Sequence, residues 1–307
     1  NVHQSFFVIM KKKTLIYITG PTGIGKTKVS VLLANKLNSE IISSDSRQFY
    51  KEMTIGTSVP SVNELKTVKH HFIQHMSVVE DYSIGNYEKD CIKIINEKFK
   101  IYDLLIMTGG SGMYADSVLY GLDKFPHINK KIRNNLISLF RKKGIGYLQE
   151  KLKEKDPIYY RKIDLNNHQR IIRALEVCVF TGKPYSSFLE KRKTDRIFNI
   201  KILIIEEDRN KLYKKINNRV DLMIKNGLEK EAKSLIKHQD KNSLQTVGYK
   251  EFFDFFNGNI TRDEAILKIK KNTRNYAKRQ ITWNKKYKNA IRISPDSSLN
   301  KILKLIN

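Results

Sequence analysis

The chain has 307 residues, of which 40% are hydrophobic, and its 58 Lys and Arg against 31 Asp and Glu give a formal net charge of +27. This length suits one large domain or a core with an inserted domain, and two distant cysteines, Cys91 and Cys178, exclude a disulfide framework. The charge excess favours a polyanionic partner, nucleic acid above all, unless it reflects only compositional drift towards lysine.

The first ten residues are expected to be an extension outside the fold, disordered or not native to the protein. Their apolar run, residues 5–10, is too short to span a membrane and has no basic segment before it. No later segment reaches spanning length. We therefore expect a cytoplasmic protein with no membrane association.

A phosphate-binding loop is predicted where the first strand, residues 15–19, ends. The sequence there fits G-x-x-x-x-G-K-[ST], and apolar side chains at helical spacing follow it. Glycines allow the backbone to approach an anion closely, and a helix N-terminus attracts it. Lys26 would bridge phosphate oxygens, and the Thr27 hydroxyl would ligate Mg²⁺. The predicted phosphate-binding residues are Gly20, Pro21, Thr22, Gly23, Ile24, Gly25, Lys26 and Thr27.

Two further turns are expected beside this loop, because the carboxyl ends of parallel strands line the ligand crevice of an α/β sheet. Asp45 follows the strand predicted over residues 40–44, and Ser111 lies in a glycine-rich turn after the strand over residues 103–108. Position alone leaves Asp45 three roles: support of Mg²⁺, general base, or N-cap of the next segment. Ser111 is either a site residue or part of a plain turn.

Helical patterns separate these strands from others at residues 202–205 and 290–294, which indicates a doubly wound α/β core. Between Gly121 and about Arg196, charged helical periodicity replaces the strand pattern. One apolar stripe there is Ile132, Leu136 and Phe140, and another is Ile171, Ile172, Leu175 and Val179. We predict an α/β fold with a P-loop NTPase-like parallel sheet, residues 11–120 and 197–307, and an inserted all-helical domain, residues 121–196.

A long helical pattern runs from Arg262 to about Lys286 and brings Lys271, Arg274 and Lys278 onto one face. This face is expected either to contact nucleic-acid phosphates or to be simply solvated. Tyr276 and Trp283 are assigned to packing elsewhere on the helix.

Seven segments, in order along the chain, carry a family resemblance. They are the phosphate loop at 20–27, Asp-Ser-Arg-Gln-Phe-Tyr at 45–50, Ile-Gly-Thr-Ser-Val-Pro at 55–60, Gly-Gly-Ser-Gly-Met-Tyr at 109–114, Gln-Arg-Ile-Ile-Arg-Ala-Leu-Glu-Val at 169–177, Val-Gly-Tyr-Lys at 247–250 and Arg-Asn-Tyr-Ala-Lys-Arg-Gln-Ile-Thr-Trp at 274–283. With this set the chain resembles the tRNA dimethylallyltransferases, also called IPP transferases. It resembles the bacterial type, since the zinc finger of the eukaryotic members is not found.

The resemblance implies transfer of a dimethylallyl group from dimethylallyl diphosphate to the N6 amine of the adenosine 3′-adjacent to a tRNA anticodon, with Mg²⁺ as cofactor. It assigns the general base to Asp45 and places Ser111, where Thr is usual, beside the diphosphate or the amine. Lys26 would neutralise the leaving diphosphate, and Arg219 is a further candidate for that role. A monomer is expected.

The resemblance also implies that several segments contact the anticodon stem-loop, with two basic residues of the C-terminal helix added from the pattern above. Val59 and Lys250 stand where the family often has Lys and Arg. The expected tRNA-binding residues are Asp45, Ser46, Arg47, Gln48, Ser111, Gln169, Arg170, Ile171, Ile172, Arg173, Gln245, Thr246, Val247, Gly248, Tyr249, Lys250, Arg274 and Lys278.

Three rival functions remain open. A P-loop kinase of a small metabolite would use the same loop but would leave the charge of +27 unexplained. An adenine-nucleotide isopentenyltransferase would need no helical insertion to grip RNA. A non-catalytic nucleic-acid-binding module would have no need of Lys26, Thr27 and Asp45.

Overall fold

The structure, a computed structural model, describes residues 13–189 and 195–306. The described residues form two compact units. One comprises the chain up to Tyr120 together with the chain from Asp195 onward, and the other begins at Gly121. The predicted extension, residues 1–10, lies outside the described residues.

Six parallel strands form the sheet of the first unit, which confirms the predicted α/β fold. Their order across the sheet is β3-β2-β4-β1-β5-β6. The edge strand β3 was not predicted, because a pair of histidines gives no apolar run. The strands are β1 Thr14–Thr19, β2 Ile41–Ser43, β3 His70–His71, β4 Leu104–Thr108, β5 Asn199–Ile205 and β6 Ile291–Ile293.

Helices cover both faces of this sheet and build the whole of the second unit. The second unit contains α5 to α7, and the first contains the others. None of the described helices is both long and apolar enough to cross a membrane. The helices are α1 Lys26–Lys36, α2 Val62–Thr67, α3 Ile84–Lys98, α4 Gly112–Tyr120, α5 Lys130–Lys155, α6 Pro157–Tyr160, α7 His168–Thr181, α8 Arg209–Lys225, α9 Leu228–Ser234, α10 Tyr249–Phe256, α11 Arg262–Asn284 and α12 Leu299–Ile306.

The central strand β1 shows why its sequence is apolar without interruption. Leu15 and Tyr17 point into one hydrophobic core, and Ile16 and Ile18 point into a second core on the other face. Side chains alternate between the faces of a sheet, and here both faces are buried under helices. The polar residues that follow the strands are therefore confined to the sheet's edge, where the candidate site lies.

The second unit has a hydrophobic core of its own between α5 and α7. Leu148 and Leu152 of α5 pack with Ile171 and Leu175 of α7, and all four side chains are buried. Of the residues predicted for the α7 stripe, Val179 was assigned wrongly, since 48% of its surface is exposed. It lies in the last turn of the helix, beyond the end of this core.

Candidate active site

One cavity of about 1230 Å³ opens where β1, β2 and β4 end, and three turns meet in its wall. The turns are the phosphate loop after β1, the Asp45 turn after β2 and the Ser111 turn after β4. All the lining residues belong to the first unit. The sequence-predicted residues that line this cavity are Thr22, Gly23, Gly25, Lys26, Thr27, Asp45, Ser46, Arg47, Gln48, Ser111, Arg219, Gln245, Thr246, Val247, Gly248 and Lys250.

The phosphate loop has the backbone of an anion cradle. Gly23 and Gly25 adopt φ values of 80° and 99°, which side-chain-bearing residues rarely adopt. Helix α1 begins directly after Gly25, with no side chain capping its N-terminus. The N–H groups of the first turn of α1 therefore have no partner within the helix and can serve a bound anion.

Gly20, Pro21 and Ile24, also expected to contact phosphate, are not among the residues that line the cavity. The Ile24 side chain is buried in the core, and Gly20 packs so closely on β5 that a Cβ would lie 2.7 Å from the Ile205 carbonyl oxygen. The carbonyl oxygens of Gly20 and Pro21 accept hydrogen bonds from the Lys26 ammonium at 2.9 and 3.0 Å.

Two cations lie at the phosphate loop. Burial lowers the pKa of the Lys26 ammonium to about 8, although Asp45 opposes the shift and Arg219 adds to it. Burial also lowers the pKa of Arg219, again against the opposing charge of Asp45. Arg219 donates from Nε to Ser58 Oγ at 3.0 Å and from its guanidinium to Thr22 Oγ1 at 3.3 Å. An anion bound here would stabilise both charged forms.

Asp45 is held in a turn, and no helix begins there, so the structure excludes the N-cap role that its position left open. Its backbone N–H donates to Ser43 Oγ at 3.3 Å, and its Oδ1 accepts the N–H of Arg47 at 3.1 Å. The carboxylate is only partly buried and lines the cavity. It is therefore fixed in orientation and open to a ligand.

Ser111 lies directly against the Asp45 turn. Its Oγ accepts the backbone N–H of Ser46 at 3.0 Å, and the two serine hydroxyls are also 3.0 Å apart. Close approach of the two turns depends on glycine, because a Cβ on Gly109 would lie 2.4 Å from Ser44 Oγ. A hydroxyl and a carboxylate thus border the same part of the cavity.

Helix α11 supplies a wall of the cavity that sequence reasoning missed. Tyr276 and Trp283, assigned above to packing elsewhere, line the cavity with Arg279 and Gln280. The Tyr276 hydroxyl donates to the Gly110 carbonyl at 3.2 Å, and Arg279 lies over the Tyr276 ring, 5.7 Å from its centre. The spacing of three and four residues places Tyr276, Gln280 and Trp283 on one face of the helix, and this is the signal in the sequence that indicates the wall.

That basic stripe is divided in the structure. Arg274 donates to the side-chain oxygen of Asn217 on α8 at 2.7 Å, and Lys278 is exposed, but neither lines the cavity. Lys271 and Arg279 do line it. Arg274 is partly exposed, so its expected contact with tRNA stays a prediction, made outside this cavity.

Arg47 and Gln48, expected to contact tRNA, line the cavity but also hold neighbouring loops. The Arg47 guanidinium donates to the carbonyl oxygens of Asn242 and Ser243 at 2.7 and 2.8 Å. The Gln48 amide donates to the carbonyl oxygen of Ser58 at 2.9 Å. These bonds fix the loops on either side of the Asp45 turn.

The segment from 245 to 250 contributes to the wall, with one exception. Tyr249 is completely buried, and its hydroxyl donates to Glu231 at 2.6 Å, so the expectation that its side chain contacts tRNA is corrected. Its ring occupies the space above Gly56, where a Cβ would lie 2.6 Å away. Gln245 and Lys250 are exposed at the cavity wall.

In the second unit, α7 divides its predicted residues between surface and core. Gln169 and Arg170 are exposed in the first turn, and Arg173 pairs with Glu176 at 3.4 Å. Ile171 and Ile172 are buried in the core of the unit, so the expectation that their side chains face RNA is corrected. Helical periodicity requires this, since the apolar residues must cover α5.

Comparison with known proteins identifies the family to which this chain belongs. A family model described as IPP transferase matches residues 48–287. The chain belongs to the IPP transferase family. It is 50% identical over 299 residues to the tRNA dimethylallyltransferase of Flavobacterium psychrophilum, covering 95% of this chain and 97% of that one. The resemblance stated from the seven sequence segments is confirmed.

Solved structures support the same family. This IPP transferase is similar to the full-length tRNA isopentenylpyrophosphate transferase of Bacillus halodurans, with a TM-score of 0.70, 35% identity and coverage of 96% of this chain and 94% of that one. It is also similar to a eukaryotic dimethylallyltransferase acting on tRNA, with a TM-score of 0.79, 25% identity and coverage of 95% and 77%.

The donor set of this IPP transferase suits Mg²⁺ bound together with a diphosphate. No cluster of three His, Cys, Asp or Glu capable of holding a metal occurs in the described ranges 13–189 and 195–306. Mg²⁺ does not need one, since it keeps several waters and takes one or two protein oxygens plus phosphate oxygens. The Thr27 hydroxyl, in the cavity wall, is an oxygen donor of that kind.

Proposed function

We propose that the protein transfers a dimethylallyl group from dimethylallyl diphosphate to the N6 amine of the adenosine 3′-adjacent to the anticodon of tRNA, with release of diphosphate. One observation carries the proposal: a single cavity brings together the phosphate loop, the Asp45 carboxylate and the Ser111 hydroxyl. Relatives named tRNA dimethylallyltransferase that match nearly the whole chain support it.

The phosphate loop would hold the diphosphate of the donor. As the bond between the allylic carbon and the diphosphate oxygen breaks, negative charge grows on the leaving group and positive charge on the carbon. Lys26 and Arg219, which line the cavity, and the first N–H groups of α1 would stabilise this negative charge. Mg²⁺ at the Thr27 hydroxyl would supply further positive charge to the same oxygens.

Asp45 would serve as the general base. The N6 lone pair is delocalised into the adenine ring, so the amine is a poor nucleophile until its proton is removed. As the new bond between nitrogen and carbon forms, the proton passes to the Asp45 carboxylate. The Ser111 hydroxyl, beside the Asp45 turn, would orient the amine or the diphosphate.

The tRNA partner would be bound through its anticodon stem-loop. The target base must leave its stack to reach the cavity, which costs a few kcal/mol and least where the base is already unpaired. The basic side chains at the cavity wall and Arg170 on the second unit would contact phosphates. We further propose a monomeric enzyme that works in the cytoplasm, where its RNA substrate is found.

The base assignment is tested with Asp45→Asn. Asparagine keeps an oxygen for the Arg47 N–H, so the turn should persist while the base is lost. We expect turnover with tRNA and dimethylallyl diphosphate to fall by about two to four orders of magnitude, with tRNA affinity near normal. Asp45→Ala should behave alike. Turnover equal to that of the unchanged protein would refute the assignment.

Mass spectrometry of the products tests the transfer itself. Incubation of tRNA with the protein, Mg²⁺ and dimethylallyl diphosphate should add one five-carbon group to an adenosine of the anticodon loop. AMP in place of tRNA should remain unmodified, which would separate this function from adenine-nucleotide prenylation. A ligand of the phosphate loop that is displaced by ATP but not by dimethylallyl diphosphate would favour the kinase alternative.

A further inference from the structure

Gln280 connects the two loops that would hold the donor and the acceptor. Only 7% of its surface is exposed, and its side chain lies at the cavity wall. Its Oε1 accepts a hydrogen bond from the backbone N–H of Thr22 in the phosphate loop at 2.7 Å. Its Nε2 donates to the carbonyl oxygen of Gly110, next to Ser111, at 2.9 Å.

The chemistry of the two partners fixes the orientation of this amide. A backbone N–H can only donate and a carbonyl oxygen can only accept, so the Gln280 side chain matches both partners in one orientation. The contact is also tight, because a Cβ on Gly110 would lie 2.4 Å from Nε2. Glycine at 110 therefore permits the amide to reach the turn directly.

The joined elements border the reacting groups on both sides. A Cβ on Gly110 would lie 3.5 Å from Oδ2 of Asp45, so the turn is adjacent to the proposed base. On the other side, the Thr22 hydroxyl accepts a hydrogen bond from Arg219. Because the Thr22 N–H is already paired with Gln280, that N–H acts in support of the loop and the anion contacts fall to the N–H groups that follow.

We propose that Gln280 is a positioning residue for the transfer reaction. It sets the separation between the phosphate loop, which holds the diphosphate, and the turn that carries Ser111 beside Asp45. In the reaction the bond from allylic carbon to oxygen breaks, the bond from N6 to carbon forms, and the proton passes to Asp45, while Gln280 touches none of these atoms. The inference rests on the proposed function.

The physical reason is the steep dependence of such reactions on geometry. Reacting atoms must approach to about 3–3.5 Å, and a misplacement of about 1 Å can cost about a hundredfold in rate. Each substrate can still bind its own loop when the connection between the loops is lost. Loss of Gln280 should therefore reduce the rate of transfer much more than either affinity.

Gln280→Leu, which removes both hydrogen bonds at similar volume, tests this. We expect the single-turnover rate of dimethylallyl transfer to fall about 10- to 100-fold, and the Kd values for tRNA alone and for dimethylallyl diphosphate alone to change less than about threefold. The matched control is Gln149→Leu, which removes a hydrogen bond to the Leu165 carbonyl in the second unit and changes no residue that lines the cavity. It should transfer at the rate of the unchanged protein.

Gln280→Glu provides a pH-dependent readout. The carboxylate keeps an acceptor for Thr22 but presents a second oxygen to the Gly110 carbonyl, whereas the protonated acid can donate to it again. Burial raises the pKa of such a carboxyl, whereas the Lys26 and Arg219 cations at the phosphate loop oppose the shift. The transfer rate relative to the unchanged protein should rise as the pH is lowered through the pKa of this carboxyl. A group with a merely structural role would not produce this dependence.

Three outcomes would overturn the proposal. One is a transfer rate in Gln280→Leu equal to that of Gln149→Leu, and another is a proportional loss of rate and of both affinities. If Gln280→Leu does not fold, a rate ratio for Gln280→Glu that is independent of pH decides against it. An unchanged protein that transfers no dimethylallyl group to tRNA would instead contradict the proposed function and remove the basis of this inference.

Discussion

The ion pairs of Glu40 predict a contribution to the stability of the fold that is separate from catalysis. Glu40 precedes β2, at the end of the sheet opposite the cavity, and its carboxylate pairs with His71 at 2.5 Å and with Lys98 at 3.0 Å. Burial alone would raise the pKa of Glu40, but the hydrogen bonds from His71 and Lys98 outweigh burial and hold the pKa below its usual value. The native state thus favours the charged carboxylate.

A lowered pKa in the folded state gives stability that is present above the unfolded-state pKa and lost as the pH falls through the folded-state pKa. Glu40→Gln should therefore reduce the free energy of unfolding at pH 7 by about 2 kcal/mol, since it leaves Lys98 without its carboxylate. Below about pH 4.3 the gap to the unchanged protein should narrow. Urea unfolding of both proteins from about pH 7 to below about pH 4.3 measures this difference in the free energy of unfolding.

The control for Glu40 is Glu206→Gln, because Glu206 forms an ion pair with Arg292 that is exposed on the same unit. An exposed pair contributes little, so this variant should change the free energy of unfolding much less at every pH. An equal loss of free energy of unfolding in Glu40→Gln and Glu206→Gln would contradict the role assigned to the burial of Glu40.

Single residues also show where sequence reasoning about the site ends. The phosphate loop was predictable because Lys26 and Thr27 stand between a strand and a helix in a fixed pattern. Asp45 was placed at the correct edge of the sheet, but its N-cap role could be excluded only when the turn after β2 was seen to contain no helix. Tyr249 was misjudged because burial against Gly56 depends on residues nearly two hundred positions apart.

At the scale of elements, β1, β2 and β4 were predicted closely because their apolar residues form short continuous runs. The strand β5 was predicted only from Ile202, because Asn199 and Lys201 interrupt the apolar pattern at its start. Helix α11 was also predicted, but its rotation about its own axis was not. The sequence offers a basic face and an aromatic face about equally, and only contacts with Gly110 and Gly112 decide that the aromatic face lines the cavity.

The orientation of α11 predicts which of its arginines and lysines contact RNA. Arg279 lies at the cavity wall over Tyr276, whereas its neighbour Lys278 is exposed away from the cavity. Arg279→Gln should therefore weaken tRNA binding about five- to tenfold at moderate salt, and Lys278→Gln should weaken it less. Filter binding with one tRNA at fixed ionic strength compares the two. A larger loss of tRNA affinity in Lys278→Gln than in Arg279→Gln would show that RNA approaches the face of α11 that carries Lys278.

At the scale of the whole molecule, the charge of +27 indicates a polyanion but does not say where it binds. Composition alone could not locate the contact, because exposed lysines occur on both units. The division of the chain into two units adds a constraint. The cavity is built from the first unit alone, so a contribution of the second unit to catalysis would have to act through RNA binding.

Substitution of Arg170 tests whether the second unit contributes through RNA binding. This residue is exposed in the first turn of α7, far along the chain from the cavity residues. If about five phosphates are neutralised, tRNA affinity should fall about a hundredfold between about 50 and 200 mM salt. Arg170→Ala should reduce the slope of log Kd against log salt by about one, and leave the Kd for dimethylallyl diphosphate unchanged.

Lys304→Ala, which removes an exposed charge from α12, is the control and should leave both quantities unaltered. If Arg170→Ala and Lys304→Ala gave the same salt dependence, the second unit would have no phosphate contact at α7, and the basic wall of the cavity would have to bind the anticodon loop unaided.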